Sequence, residues 1–482
     1  MQGDFSRSSF DRRQQFTRVL AQQGRVQVDA DWNEQAAISR HAVRTLAADL
    51  MGPHAGPRRA CGFDLLTDPA MVATLTDDLG RPLRAERVRE LQDRLARGDF
   101  LIGQGRYYVE GMAAECDSWM TYSEQLGYPF DDGTTLEALA GAGRVLVYLD
   151  VWERHVSAAE RPGIVDVALG GVETTTRAEL VWQVRILRGH EAPSCADHLG
   201  LARDRLPLLR ARAHRPRETL EPGIVVPEAG YRGSENCLYR VEIHRGGHAE
   251  PTGNGAEPPL QARDGATFTW SRENASVVFA VQDHSVEGAK VVLRLDHLGA
   301  VPRRGLVPGG WAQLVDDAST MRGIPSPILQ VEAVDIEGAT VVLTGAADET
   351  GSTPDLHPIL RRWDHDASSP ALSRDGALLV REAVTADDGW IELEAGVEVQ
   401  FLASPPGEAA HTYRTGDYWL VPARTTTRDV IWPQEVVDGE RIARPRLPDG
   451  VPHYVAPLAV ASSGPDGSWT VETDCRRRCG PA

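Results

Sequence analysis

Asp364, His365 and Asp366 follow Arg362 and Trp363 in an unbroken run, the densest chemistry-bearing cluster of the 482-residue chain. Two carboxylates flanking an imidazole could hold a cation or move protons near neutral pH. A polar loop at a strand end is the plainer reading of the same run. Asp29-Ala30-Asp31 has the D-x-D form of metal-dependent glycosyl transfer, but at a helix start capping and dipole compensation account for it. GQGRYYVEG (103–111) opens like a dinucleotide fingerprint, yet Arg106 and Tyr107 run into a strand and no helix N-terminus follows to hold a pyrophosphate. Ser234 in RGSENC lacks the G-x-S-x-G frame of a nucleophile elbow. His244 and His248 are four apart with Gly246 and Gly247 between them, which places them on a turn rather than a helix face. Cys475 and Cys479 enclose three arginines with no second pair in reach, so free thiols are expected there rather than half a zinc site. The other cysteines, Cys61, Cys116, Cys195 and Cys237, are expected to be small buried hydrophobes. Glycosidase carboxylates need a defined separation, which a chain with 69 acids does not disclose. The reading is therefore of a protein without catalytic residues, cofactor or metal.

Composition narrows the partners. A formal net charge of −18 argues against nucleic acid and against anionic membrane surfaces. Lys290 is the sole lysine, so arginine carries almost all positive charge. No run approaches the roughly 18 apolar residues of a membrane span, and no secretory segment follows Met1, so assembly in the cytoplasm is expected.

The elements read as α+β, dominated by antiparallel β modules of sandwich or small-barrel type, with an N-terminal helical anchoring unit. In that unit Asp31 and Glu34 form a capping box for a helix ended by Gly52-Pro53. Trp32, Ala36, Ser39, Val43, Leu46 and Leu50 recur at steps of four and three, one stripe that packs either on the chain's own core or on another copy or subunit. Residues 85–97 form a second amphipathic helix through Val88, Leu91 and Leu95. FLIGQGRYYVEG reads as a hairpin, and Val145, Val147, Leu149 and Val151 alternate along a long strand. Trp152, Trp182, Trp270 and Trp419 fall in strand patterns and suit a core or sheet face better than a sugar platform.

Five regions follow: a helical docking unit at 1–60, a first β domain at 61–195, an Arg/Pro-rich linker at 196–222, a β domain at 223–350 and a C-terminal β domain with a polar tail at 351–482. Short strands near 290–346 suggest an SH3- or OB-like barrel within the fourth region.

Long phrases give the chain a resemblance. FTRVLAQQGRVQVDADWNEQ (16–35), VYLDVWERHV (147–156), ALGGVETTTRAELVWQVRI (168–186), GYRGSENCLYRVEIH (230–244) and TYRTGDYWLVPARTTT (412–427) resemble an uncharacterised bacterial domain family encoded beside phage-tail-like contractile injection systems. The opening is also similar to those of phage baseplate and tail-fibre proteins. The resemblance implies a non-enzymatic structural or accessory part, docked through its N-terminus at the baseplate periphery or as a fibre-like attachment. Baseplate, sheath or tube proteins would be its partners, a closed homo-oligomer such as a trimer its state, and release with the particle its fate. Phe5, Phe10, Phe16, Val19, Leu20 and Trp32 are the expected anchors, with Arg12, Arg13, Arg18 and Arg25 at the rim; the alternative is that Phe16, Leu20 and Trp32 close a local mini-core. Two other functions stay open: a glycan- or cell-surface-binding module, and an acid-dependent hydrolase using Asp364, His365 and Asp366.

Overall fold

The structure, a computed structural model, describes residues 1–130, 135–188, 193–197, 206–214, 230–249, 265–299, 305–345, 348–366, 372–385, 388–437 and 439–479. The chain divides into two compact units, each assembled from three segments. The first comprises residues 1–8, 155–177 and 204–451, the second residues 9–154, 178–203 and 452–482. It is an α+β protein dominated by antiparallel sheet, with an N-terminal helix and a closed barrel.

The second unit is built on the strand Gly143–Val156. Its inward side chains Val145, Val147, Leu149 and Val151 are fully buried, as their period of two requires. The strand Tyr454–Ser463 pairs with it antiparallel, Val151 opposite Tyr454, and Trp469–Asp474 pairs antiparallel beyond that. Arg177–Leu187 completes the four-stranded order. Phe63, Phe100, Tyr107 and Tyr122 fill the core against this sheet. The expected hairpin is present as Gly105–Val109 paired with Met112–Cys116, closed by Glu110 and Gly111 with φ of 47° and 73°. A helix α2, Ala85–Leu95, buries Leu91 and Leu95 together with Val72 and Leu101.

A disulfide joins Cys195 to Cys475 across 280 residues of chain, which corrects the expectation of free thiols and isolated buried cysteines. Nothing in the local sequence pairs them. They meet because the last strand lies in the same sheet system as the strand ending at Leu187. Cys61, Cys116, Cys237 and Cys479 take no part in a disulfide.

In the first unit a closed barrel runs in the order Val278–Glu287, Lys290–Leu295, Thr340–Thr344, Ile328–Asp335, Trp311–Val315 and Ile359–Trp363. It contains the short strands expected near 290–346 and closes through two more, one on each side. A five-stranded sheet is centred on Cys237–Arg245, flanked by Thr267–Ser271 and Tyr418–Arg424. The segment taken as a linker contains a strand, Leu208–Ala213, paired antiparallel with Val397–Leu402. Leu209, Ala211 and Ala213 alternate inward against Arg210 and Arg212, a period of two that the proline and arginine content obscures. Residues 198–205 and 215–222 of that linker lie outside the described residues.

Candidate functional site

The N-terminal segment of the second unit is an extended arm laid along a helix. The helix α1, Asp29–Met51, starts three residues earlier than the capping-box reading places it. Val28 stands at the N-cap with no side-chain bond, while Asp29 and Asp31 occupy the first turn and offset the helix dipole. Glu34 is not a capping partner, because it accepts a hydrogen bond from Ser9 Oγ at 2.5 Å. Gln35 Oε1 accepts from the Val19 amide at 2.8 Å, and the Phe10 ring meets His41 at 5.6 Å between centroids. These three contacts tie residues 9–19 of the arm to the N-terminal half of the helix.

One side of α1 is fastened to its own unit. Ile38 and Ala30 are buried. Arg40 pairs with Glu153 at 2.8 Å, and Arg44 Nε donates to the Glu110 carbonyl while its guanidinium covers the Tyr454 ring. Gly111 is required here: a Cβ at that position would lie 2.5 Å from the Arg44 carbonyl oxygen, and its φ is positive. The last glycine of the GRYYVEG phrase thus lets the hairpin turn touch the helix backbone.

The other side of α1 is bare. Trp32 is 68% exposed, Val43 65%, Leu46 61% and Leu50 77%, and in the arm Phe16 is 58% and Leu20 68% exposed. The stripe that the spacing marks for burial is therefore not packed on the chain's own core. Nor do Phe16, Leu20 and Trp32 close a mini-core. Arg12, Arg13, Arg18 and Arg25 of the same arm are exposed, and Val19 is half-buried. Four arginines against the single Asp11 make residues 9–28 cationic on an acidic chain.

Two of the expected anchors lie elsewhere. Phe10 is half-buried on His41. Phe5 belongs to the first unit, where its ring stands edge-on to His155 at 6.3 Å. In that unit Gly3 is buried, and its carbonyl accepts from Asn274 Nδ2 at 2.8 Å. Val43, Leu46 and Leu50 lie on the same exposed stripe of α1 as Trp32. Their spacing marks the stripe, and the fold shows that it is left exposed among the described residues.

A model of a family of unknown function, DUF6519, matches residues 1–199 and 196–479. The chain belongs to DUF6519. No curated protein and no solved structure matches it. In this DUF6519 chain the phrases that carried the resemblance thus fall inside one family extending over nearly the whole sequence.

The Asp364–Asp366 run lies at the mouth of the barrel of this DUF6519 protein. A cavity of about 210 Å³ is lined there by Arg272, Trp311, Arg362, Trp363, Asp364 and His365, among others. His365 is buried, stacks on Trp311 with ring centroids 5.4 Å apart, and meets the Gly376 carbonyl through Nε2 at 2.6 Å. Burial pushes its pKa down to about 4, so the ring is neutral at pH 7 and Nε2 carries the proton donated to Gly376. Asp364 accepts from the Arg272 amide at 3.0 Å and lies 3.2 Å from Arg362 Nε. Arg362 also bonds Glu273, and Arg272 pairs with Glu394. The charges here are matched within the protein, and the two indoles are buried. Among the described residues no group of three or more His, Cys, Asp or Glu is placed to hold a metal ion, and no helix is long and apolar enough to cross a membrane.

Proposed function

We propose that this protein is a non-enzymatic structural or accessory component of a phage-tail-like contractile particle, held to the particle by its N-terminal arm. The observation that carries the reading is the set of bare apolar side chains between residues 16 and 50, accompanied by four exposed arginines in the same arm. Contiguous exposed apolar surface with a polar rim marks protein interaction sites. Aromatic and arginine side chains are the residues that dominate such contacts. The cationic arm suits an acidic surface on a baseplate, sheath or tube protein. The family phrases supply the particle, and assembly in the cytoplasm with later release follows from that setting.

The glycan-binding alternative has less support. Of eleven tryptophans, Trp32 alone is exposed, and it sits on a helix beside the arm rather than on a β module. The hydrolase alternative needs a titrating histidine, whereas His365 is neutral, buried and bonded to a backbone carbonyl.

The test is co-sedimentation of full-length protein with particles from its host. Phe16→Glu with Leu20→Glu should reduce incorporation at least tenfold while the melting temperature is unchanged, because both positions are exposed. Incorporation at the wild-type level would rule the arm out as the attachment.

A further inference from the structure

We propose that the bare stripe of α1 is the interface of a two-fold dimer, covered by the same stripe of a second copy of this chain running antiparallel to it. The inference rests on the reading of this region as a protein-docking surface and names the occupant of its helical half; the arm remains for the particle.

Three observations point to a second copy. The stripe keeps the alternating four- and three-residue steps of a helix–helix seam without a break from Trp32 to Leu50, which suits another helix better than a flat sheet. The seam is also complementary to itself in one direction only. Antiparallel pairing about a point between Ser39 and Val43 sets Trp32 opposite Leu50, Ala36 opposite Leu46 and Ser39 opposite Val43. Each small side chain then meets a larger one, the arrangement that fills space between helices. A parallel pairing would stack Trp32 on Trp32 and leave Ala36 and Ser39 as two successive gaps. Antiparallel helices also set each dipole against the other's opposite end.

The third observation is area. Trp32, Val43, Leu46 and Leu50 are each more than 60% exposed. With the two small residues they offer on the order of 600 Å² per copy, or about 1,200 Å² in all, the lower edge of specific interfaces. The flanks carry little charge to oppose this. Asn33, Ala42, Ala47 and Asp49 border the stripe, and Arg40 is already paired with Glu153. An isologous contact of this kind closes on itself and leaves the arms free on both copies.

The test uses the full-length chain. Sedimentation equilibrium should give twice the 52.6 kDa chain mass, and Leu46→Glu should give the single mass with an unchanged far-UV spectrum. Orientation is read by oxidative cross-linking. In the antiparallel register residue 36 meets residue 46 of the other copy, while like residues lie roughly 15 Å apart along the axis. Ala36→Cys with Leu46→Cys should therefore form covalent dimer at least tenfold more readily than either single variant. A monomeric wild-type chain, a trimeric mass, or single variants that cross-link as well as the double would each overturn the inference. A monomer whose arm variants still fail to join particles would end the dimer and keep the docking reading. A dimer whose arm variants join particles normally would do the reverse.

Discussion

Two helices of the same unit, α1 and α2, both place apolar side chains at three- and four-residue steps, yet α2 buries Leu91 and Leu95 while α1 leaves Val43, Leu46 and Leu50 in solvent. The difference lies in what each helix is fastened by. α2 is held by its apolar side, against Val72 and Leu101. α1 is held by its opposite side, through buried Ile38, the Arg40–Glu153 pair and the close approach of Gly111 to Arg44. Periodicity states which side chains gain by leaving water. It does not state whether the covering surface comes from the same chain. A helix fastened on one side with its apolar stripe outward is the feature on which the proposed docking rests.

That contrast sets the order of expected effects, from what seals the fold to what is left open. The largest belongs to the Cys195–Cys475 bond, which joins two residues of the second unit across 280 residues of chain, residues 204–451 of the first unit among them. Replacing both by serine should cost up to about 5 kcal/mol by the loop-closure argument, read as a fall in urea midpoint. An unchanged midpoint would mean that the strand Trp469–Asp474 is held without it.

Next comes the covered helix. Leu91→Ala removes a fully buried side chain and should cost about 3 kcal/mol. The matching change on the open helix, Leu46→Ala, should alter the monomer's stability by no more than about 0.5 kcal/mol. Equal losses from the two variants, measured in urea on the dissociated chain, would erase the distinction between the helices.

Acid should act on the first unit. Burial pushes the pKa of His155 down to about 3 and those of His244 and His365 to about 4, against an ordinary 6.5. Above pH 6.5 each is neutral both folded and unfolded. As pH falls from 6.5 toward 4 the unfolded chain takes up protons that the folded chain refuses, so stability is lost across that window. The urea midpoint should be lower at pH 4.5 than at pH 7, and His365→Gln should flatten part of the slope whatever it does to the midpoint at pH 7. A pH-independent midpoint would show that these rings are not held neutral.

Much of this fold is legible in the residues themselves. The alternation at Val145–Val151, the Glu110–Gly111 turn and the barrel strands near residues 290–346 are local signals, and the structure contains each of them. What is not legible depends on distant meetings. Tyr454–Ser463 pairs with Gly143–Val156 from three hundred residues away, and the same return brings Cys475 to Cys195. Leu208–Ala213 shows the other kind of miss: its alternation is present, but arginines on the outer face and neighbouring prolines give it the composition of a linker. At the candidate site the sequence supplied the stripe and the arginines. It could not place Phe5 in another unit, or say that Glu34 turns to Ser9 instead of capping α1.

The central claim is that the arm is bare in the chain and covered in its working state. Leu20 and Leu79 make the fairest pair for testing it, since both belong to the second unit and are 68% and 69% exposed. Hydroxyl-radical labelling of both leucines, in free protein and in protein bound to particles, compares them directly. The account predicts similar labelling when free and at least tenfold protection of Leu20 alone when bound; equal labelling of the two in the bound state would contradict it.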